Sequence, residues 1–339
     1  MRMTTLEKPG TPTAQNSVSS AESSRTEPTP PSKSAYARLY SASLYKACYA
    51  LEKIGGAAAI PLITLPFFAI DYRRRQRDYA QFLCVRDALP AAVWKGTSPS
   101  HHYRRMIFSW WESLVTNIFY TRLGLPYWSR RFEVEGTPID QLPEWGQRPV
   151  IVAFLHTGSF GLIRWYLRSR KIPTASLIAS MPTLIDNPHY NKYLAEGDKI
   201  YGLEDVPHYF RGIRDAIRYL KPGRAMTMAL DGGAPSPESD RQDAGGAAFY
   251  VKKGACRVGA QTGALVVPVS VRRKGFARYI VHFGKPVPDD LLQQGDFTAA
   301  TQHLVSELWP DLESHPLDLN WTTMEAFAPS LIKPRVEWP

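Results

Sequence analysis

From about residue 148 onward, short apolar runs alternate with segments of helical length, and this alternation restricts the chain to few folds. The runs cover 149–155, 175–179, 225–230, 265–271 and 279–283. Helical patterns over 160–170, 208–220 and 255–263 separate them, and 302–312 reads as a late helix. Apolar runs too short for helices, joined through helices, predict strands buried on both faces. The expected fold class is therefore α/β, a largely parallel central sheet flanked by helices. No internal repeat is visible.

The rest of the chain divides by composition. Residues 1–34 are rich in Ser, Thr and Pro and have almost no large apolar side chains. Such a segment buries too little surface to offset its ordering entropy, so a disordered tail is expected. It also has no apolar core of the kind a cleavable signal peptide needs. Residues 35–131 are expected to form a helical, membrane-associating region, and 132–339 the α/β domain. The stretch "KIGGAAAIPLITLPFFAIDYRRRQR" holds an uncharged run over 54–70, followed by Arg73, Arg74, Arg75 and Arg77. The run is slightly short for a membrane crossing, and Gly55, Gly56, Pro61 and Pro66 favour a kinked or re-entrant segment. Arginines directly after an apolar run mark the cytoplasmic, anionic-lipid side of a membrane. A buried core helix is the alternative. Further on, "HHYRRMIFSWWESLVTNIFYTRLGL" carries Ile107, Trp110, Trp111, Leu114 and Ile118 at helical spacing. It fits either a membrane interface or an aromatic helix packed on a core.

The chain has 339 residues, with 41 Lys and Arg against 31 Asp and Glu, a formal net charge of +10 that points to an anionic partner. The basic residues follow an apolar segment and form no recognition motif, so an anionic membrane surface is expected and nucleic acid is not. Cys48, Cys84 and Cys256 are scattered, which argues against a disulfide framework or a structural zinc site. The histidines and acids show no metal-ligand spacing, so no metal is expected.

Two strand ends carry candidate chemistry. In "VIVAFLHTGSFGLIRWYL" an apolar run ends at His156, a Thr-Gly-Ser turn follows, and a helix begins. Ligands and reacting groups in open α/β sheets gather at the carboxyl ends of strands. A helix N-terminus there disfavours the imidazolium and keeps the histidine able to act as a base. A packed structural histidine is the bland alternative. In "AMTMALDGGAPSPES", Asp231 again ends an apolar run, before Gly232 and Gly233. An acid after one strand and a base after another can meet above one sheet edge; a turn aspartate before glycines is the alternative. The polar connection over 232–246 reads as a loop. In "FYVKKGACRVGAQTGALVVPVSVRR", Lys252 and Lys253 precede a small-residue helix able to approach a sheet closely. Lysines beside a pocket suit a phosphate, although surface lysines without function are common.

These blocks together resemble the glycerolipid/lysophospholipid acyltransferase superfamily over roughly residues 148–286, and most of all its bacterial branch related to the lipid A late acyltransferases (lauroyl and myristoyl transferases). "FLHTGSFG" is similar to the family's His-x-x-x-x-Asp/Glu block. "IDNPHYNKYL" is similar to an Asn-Pro segment of that branch. "IRYLKPGRAMTMALDGG" and "VKKGACRVGAQTGALVVPV" are similar to its helix–strand–Asp and Lys-x-Gly-Ala/Val-Pro-Val blocks. The resemblance implies an acyltransferase of the class transferring groups other than aminoacyl groups, on the cytoplasmic face of the cell inner membrane. It implies an acyl thioester on CoA or acyl carrier protein as co-substrate, no other cofactor, and a lipid or glycolipid acceptor.

In that family the histidine deprotonates the acceptor hydroxyl, a role the resemblance gives His156. Gly161 stands where the family places the acid, and the family's Glu-Gly-Thr-Arg block reads Asp231-Gly232-Gly233-Ala234. Asp231 is the expected substitute acid. Ser159 and Gly232 are expected to line the substrate site, with Arg241 or the Lys252/Lys253 pair as the phosphate contact. Two other outcomes remain for the missing acid: His156 working alone, or a fold that binds lipid without catalysis. A serine hydrolase is a separate reading, with "HTGSFG" as a near-match to a nucleophile elbow, Ser159 as nucleophile, Asp231 as acid, and His303 or His315 as base.

Overall fold

The computed structural model describes residues 50, 59–87, 89, 96–123, 129–178, 188–232, 239–275 and 277–327. The expected 1–34 tail and residues 54–58 of the apolar run lie outside them. Three helices come first: α1 (Ala59–Arg74), α2 (Tyr79–Asp87) and α3 (Pro99–Leu123). There follow β1 (Phe132–Gly136), β2 (Val150–Phe154), α4 (Gly161–Ser169), β3 (Thr174–Leu177), α5 (Pro188–Tyr201), β4 (Tyr209–Phe210), α6 (Ile213–Tyr219) and β5 (Ala225–Ala229). A hairpin of β6 (Ser239–Ala244) and β7 (Ala247–Lys252) leads to α7 (Gly254–Thr262), β8 (Leu265–Gly275) and β9 (Arg278–Phe283). The last elements are α8 (Asp289–Gln293), α9 (Phe297–Ser314) and α10 (Trp321–Glu325).

One mixed sheet runs β1-β9-β8-β2-β5-β3-β4. Every neighbouring pair is parallel except β8–β9. The exception follows from chain length, because the few residues between Gly275 and Arg278 permit a hairpin but no crossover. The central strands are the apolar runs of the sequence: Val150 to Ala153 in β2, and Val266, Val267 and Val269 in β8, are all buried. Each valine or isoleucine among them contributes about 1.5–3 kcal/mol by leaving water. Helices cover the sheet, and α7 does so at close range. A Cβ on Gly259 would lie 2.4 Å from Val266 Cγ2, so the expected use of small residues there holds.

The hairpin corrects the expected loop over 232–246, of which 233–238 lies outside the described residues. Gly245 and Gly246 both have positive φ, +60° and +82°, which suits a two-residue turn whose twist matches the strands. The Trp309 ring of α9 leaves no room for a Cβ on Gly245, at 2.2 Å.

At the N-terminal side, α1 packs one face on α3. Ile60 and Ile63 are buried, and Phe67 stacks on Trp111 at 5.6 Å between centroids. Trp111 Nε1 and Arg75 Nε both donate to Asp71, at 2.9 and 2.7 Å. Trp111 is therefore a core residue, as in the second of the two readings of that helix. The opposite face of α1 is apolar and turned outward: Leu62, Leu65 and Ile70 are 63%, 50% and 44% exposed, and Pro66 and Ala69 lie between them. Among the described residues no helix is long and apolar enough to cross a membrane.

Candidate active site

The sheet register builds the site. Phe154 at the end of β2 is paired with Ala229 at the end of β5, in parallel. His156 and Asp231 each lie two residues beyond that pair, so parallel pairing delivers them to equivalent positions on adjacent strands. Leu230 N donates to Phe154 O at 2.9 Å and extends the ladder to that point. The carboxylate beside His156 thus stands on the neighbouring strand, and Gly161 is the first residue of α4.

His156 Nδ1 and Asp231 Oδ1 are 2.7 Å apart. Asp231 is fully buried. Its Oδ2 accepts from the His156 backbone N–H at 2.9 Å and from Thr323 Oγ1 at 2.6 Å. Thr323 Oγ1 also lies 2.8 Å from His156 O, so this hydroxyl touches both partners. Burial alone would push the Asp231 carboxyl up, but His156 and these hydrogen bonds outweigh it and hold it below the usual carboxylate range. An ionised carboxylate only accepts, so Nδ1 donates to it and any free lone pair of the ring is at Nε2. Nε2 makes no hydrogen bond among the described residues. The imidazole packs edge-on against Phe160 and Phe154, with centroids at 4.7 and 5.5 Å, and its side chain keeps 17% of its surface exposed. It is oriented on one nitrogen and accessible overall, the arrangement of a general base.

The turn after His156 is held by backbone. Gly158 has φ +51°, and a Cβ there would lie 2.4 Å from Val271 O. Its N–H donates to Asp318 O at 2.7 Å, and Thr157 bridges to Leu319. Ser159 is buried, with the Tyr279 hydroxyl near its side chain. The residues of the hydrolase reading do not assemble. Asp231 is engaged by His156, His303 Nε2 lies 3.0 Å from Lys285 O, and His315 Nδ1 lies 2.8 Å from Ser314 Oγ.

Of the other expected site residues, Gly232 lies beside the dyad, where a Cβ would be 3.6 Å from His156 Cε1. Lys252 N donates to Leu230 O at 2.8 Å, which anchors the hairpin one residue from Asp231. Lys253 is paired with Asp240 at 2.8 Å, so its charge is already matched. Arg241 is exposed on β6, opposite Tyr250. Thr323 was not foreseen. It sits on α10, whose cap is Asn320 Oδ1 accepting from Thr323 N at 3.1 Å. The "NWTTME" stretch carries that capping signal, but nothing in it names the distant partner. Among the described residues no group of His, Cys, Asp or Glu is arranged to hold a metal ion.

No family model matches the chain, and no curated protein matches it. Among solved structures the chain is similar to the crystal structure of the 1-acyl-sn-glycerophosphate (LPA) acyltransferase, PlsC, from Thermotoga maritima. The two are 14% identical, with a TM-score of 0.35 over 80% of this chain and 97% of that one. Identity and score are both too low for the likeness to bear on chemistry.

Proposed function

We propose that this protein is a membrane-associated acyltransferase that moves a fatty acyl group from a thioester of CoA or acyl carrier protein to a hydroxyl of a lipid or glycolipid acceptor. The observation that carries the reading is the 2.7 Å contact of His156 Nδ1 with the buried Asp231, which leaves Nε2 as the base. The four sequence blocks described above supply the acyl-transfer context. His156 Nε2 takes the acceptor's hydroxyl proton as the oxygen attacks the thioester carbonyl. Asp231 stabilises the imidazolium that forms and keeps the ring in one tautomer. The C–S bond then breaks, the departing sulfur takes the proton from Nε2, and the ester and free thiol are released. Gly232 keeps the space beside the ring open, and Ser159 stands in the turn near Tyr279.

The membrane part of the reading is supported by the outward face of α1. Leu62, Leu65, Pro66, Ala69 and Ile70 form one apolar stripe at helical spacing, and Arg73 and Arg74 follow it. Such a helix lies in the interface of an anionic bilayer, its apolar face in the acyl boundary and its arginines among headgroups. The cytoplasmic face of the inner membrane fits that charge.

Purified protein incubated with acyl-CoA or acyl carrier protein thioesters and a lipid extract is expected to release thiol and form an acylated lipid. His156→Ala is expected to abolish both. Turnover that survives His156→Ala sinks the mechanism, and no turnover with either thioester class sinks the enzyme reading. For the membrane part, flotation with phosphatidylglycerol vesicles is expected to carry the wild type and to lose Leu62→Asp/Ile70→Asp.

A further inference from the structure

A cavity of about 380 Å³ opens between α3, the end of β8 and the segment that follows α9. Its walls come from three separate elements. Arg105 projects from α3, Arg273 and Lys274 end the long strand β8, and His315 and Asp318 belong to the segment after α9. That last segment is tied to the candidate site, because Gly158 N donates to Asp318 O at 2.7 Å. One backbone hydrogen bond therefore joins the cavity wall to the turn after His156.

The charges around the cavity are unevenly matched. Lys274 is paired with Glu133 at 2.5 Å, and Arg273 with Glu112 at 3.0 Å. Arg105 has neither a hydrogen bond nor an ion pair among the described residues; its guanidinium lies over the Phe108 ring at 5.6 Å. Burial pushes the Arg105 guanidinium down and Arg273 pushes it further, and the nearby Glu112 and Asp318 offset this only in part. Two guanidinium groups that repel one another across a partly buried cavity are stabilised by an anion that both can reach. The carboxyl of Asp318, the one acid on the cavity wall, is pushed up by burial, as is that of Glu112 behind it.

We propose that this cavity binds the phosphate group of a substrate, with Arg105 as its principal contact and Arg273, Lys274 and His315 around it. This moves the phosphate contact from the hairpin, where Lys253 already has Asp240, to the opening between α3 and the end of β8. The acyl-transfer reading enters only in naming the phosphate's owner. That owner is either the donor, through its phosphopantetheine arm, or the acceptor, through a phosphorylated headgroup. A phosphate held there also tethers the reactant to a wall bonded to the turn after His156, which lowers the entropic cost of bringing its reacting atom to the base.

The test reads binding and needs no turnover. Calorimetric titration of the full chain compares 4′-phosphopantetheine with pantetheine, and glycerol 3-phosphate with glycerol. In at least one pair the phosphate-bearing member is expected to bind about tenfold more tightly or better. Arg105→Gln is expected to erase that preference, and Arg105→Lys to retain part of it. Lys274→Gln, at a half-exposed position where folding is not at stake, is expected to reduce it about threefold. Loss in the first pair assigns the site to the donor, and loss in the second to the acceptor; either outcome supports the cavity. A wild type with no phosphate preference in either pair overturns the proposal, as does a preference unchanged in folded Arg105→Gln. If Arg105→Gln does not fold, an unchanged preference in Lys274→Gln overturns it instead. His156→Ala is expected to keep the full preference while losing turnover, so the dyad and the cavity can fail separately.

Discussion

Three histidine–aspartate pairs occur among the described residues, and they differ in what else holds the carboxylate. His156 meets Asp231 at 2.7 Å, His282 meets Asp311 at 2.7 Å, and His208 meets Asp198 at 2.5 Å. In the second and third the carboxylate already holds an arginine: Arg272 on Asp311, where Ser270 also donates, and Arg168 on Asp198. Asp231 has no arginine or lysine partner among the described residues; besides the His156 ring it has a backbone N–H and the Thr323 hydroxyl. A carboxylate neutralised by a guanidinium offers little to an imidazolium forming beside it, whereas Asp231 offers its full charge. Position separates the pairs too. His156 stands beyond a strand end, while His282 lies within β9, opposite Ser270, where it helps fasten α9 to the sheet. A close His–Asp distance is therefore no evidence of catalysis until the acid's other partners are counted.

The contrast breaks most sharply at the dyad. Asp231→Asn preserves the shape but leaves His156 in the wrong tautomer, and kcat/KM is expected to fall by about 10⁴, the loss known when a triad aspartate is so changed. Steady-state thiol release measures it, and retained activity would mean that His156 works unaided. Thr323→Val removes one of three hydrogen bonds to Asp231 and is expected to cost about tenfold in kcat/KM, with Thr323→Ser restoring it. Failure of Ser to rescue would assign Thr323 to packing alone.

At the structural pair the expectation reverses. Asp311→Asn removes the charge that Arg272 and His282 share, leaves Arg272 with Glu135 alone, and is expected to lower stability by about 2 kcal/mol in chemical denaturation. Its kcat/KM is expected to stay within about twofold of wild type. The pH dependence is smaller still. The hydrogen bond to Asp311 raises the His282 imidazole above its ordinary 6.5. Its stabilisation is then complete below 6.5 and is lost as pH rises through the folded value. His282→Gln should thus lower Tm more at about pH 5.5 than at about pH 9, and equal losses at both would remove the pair from the pH response. The smallest effect is expected at Gly161. Gly161→Asp adds a carboxylate where Nδ1 is already engaged, so kcat/KM should not change; a gain would mean that Asp231 serves His156 poorly.

The sheet was legible in the sequence because its central strands are buried on both faces and read as unbroken apolar runs. The dyad was legible for the same reason, since both residues stand just past such runs, and pairing of β2 with β5 brings them together. The hairpin was not, because "SDRQDA" is polar and turns only Gln242 and Ala244 inward. Its signal was the Gly245-Gly246 pair. Helix α5 hides behind Gly197 and a sparse apolar pattern, with Leu194, Asp198 and Tyr201 buried among its described side chains. The late helix begins earlier than its apolar pattern, at the cap where Asp296 Oδ1 accepts from Ala299 N at 3.0 Å. Thr323 and the cavity of Arg105 and Arg273 are products of tertiary folding, assembled from stretches far apart in the chain, and no local pattern encodes them.

The clasp of Thr323 on Asp231 also fixes an order of assembly. Every strand of the sheet is complete by Phe283, yet the hydroxyl that touches both halves of the dyad arrives forty residues later. The same closing segment ties down the hairpin, through Tyr250 N to Ala326 O at 2.8 Å and the Phe249–Phe327 ring contact at 4.4 Å. A chain still emerging from the ribosome can thus hold a finished sheet and an unfinished base.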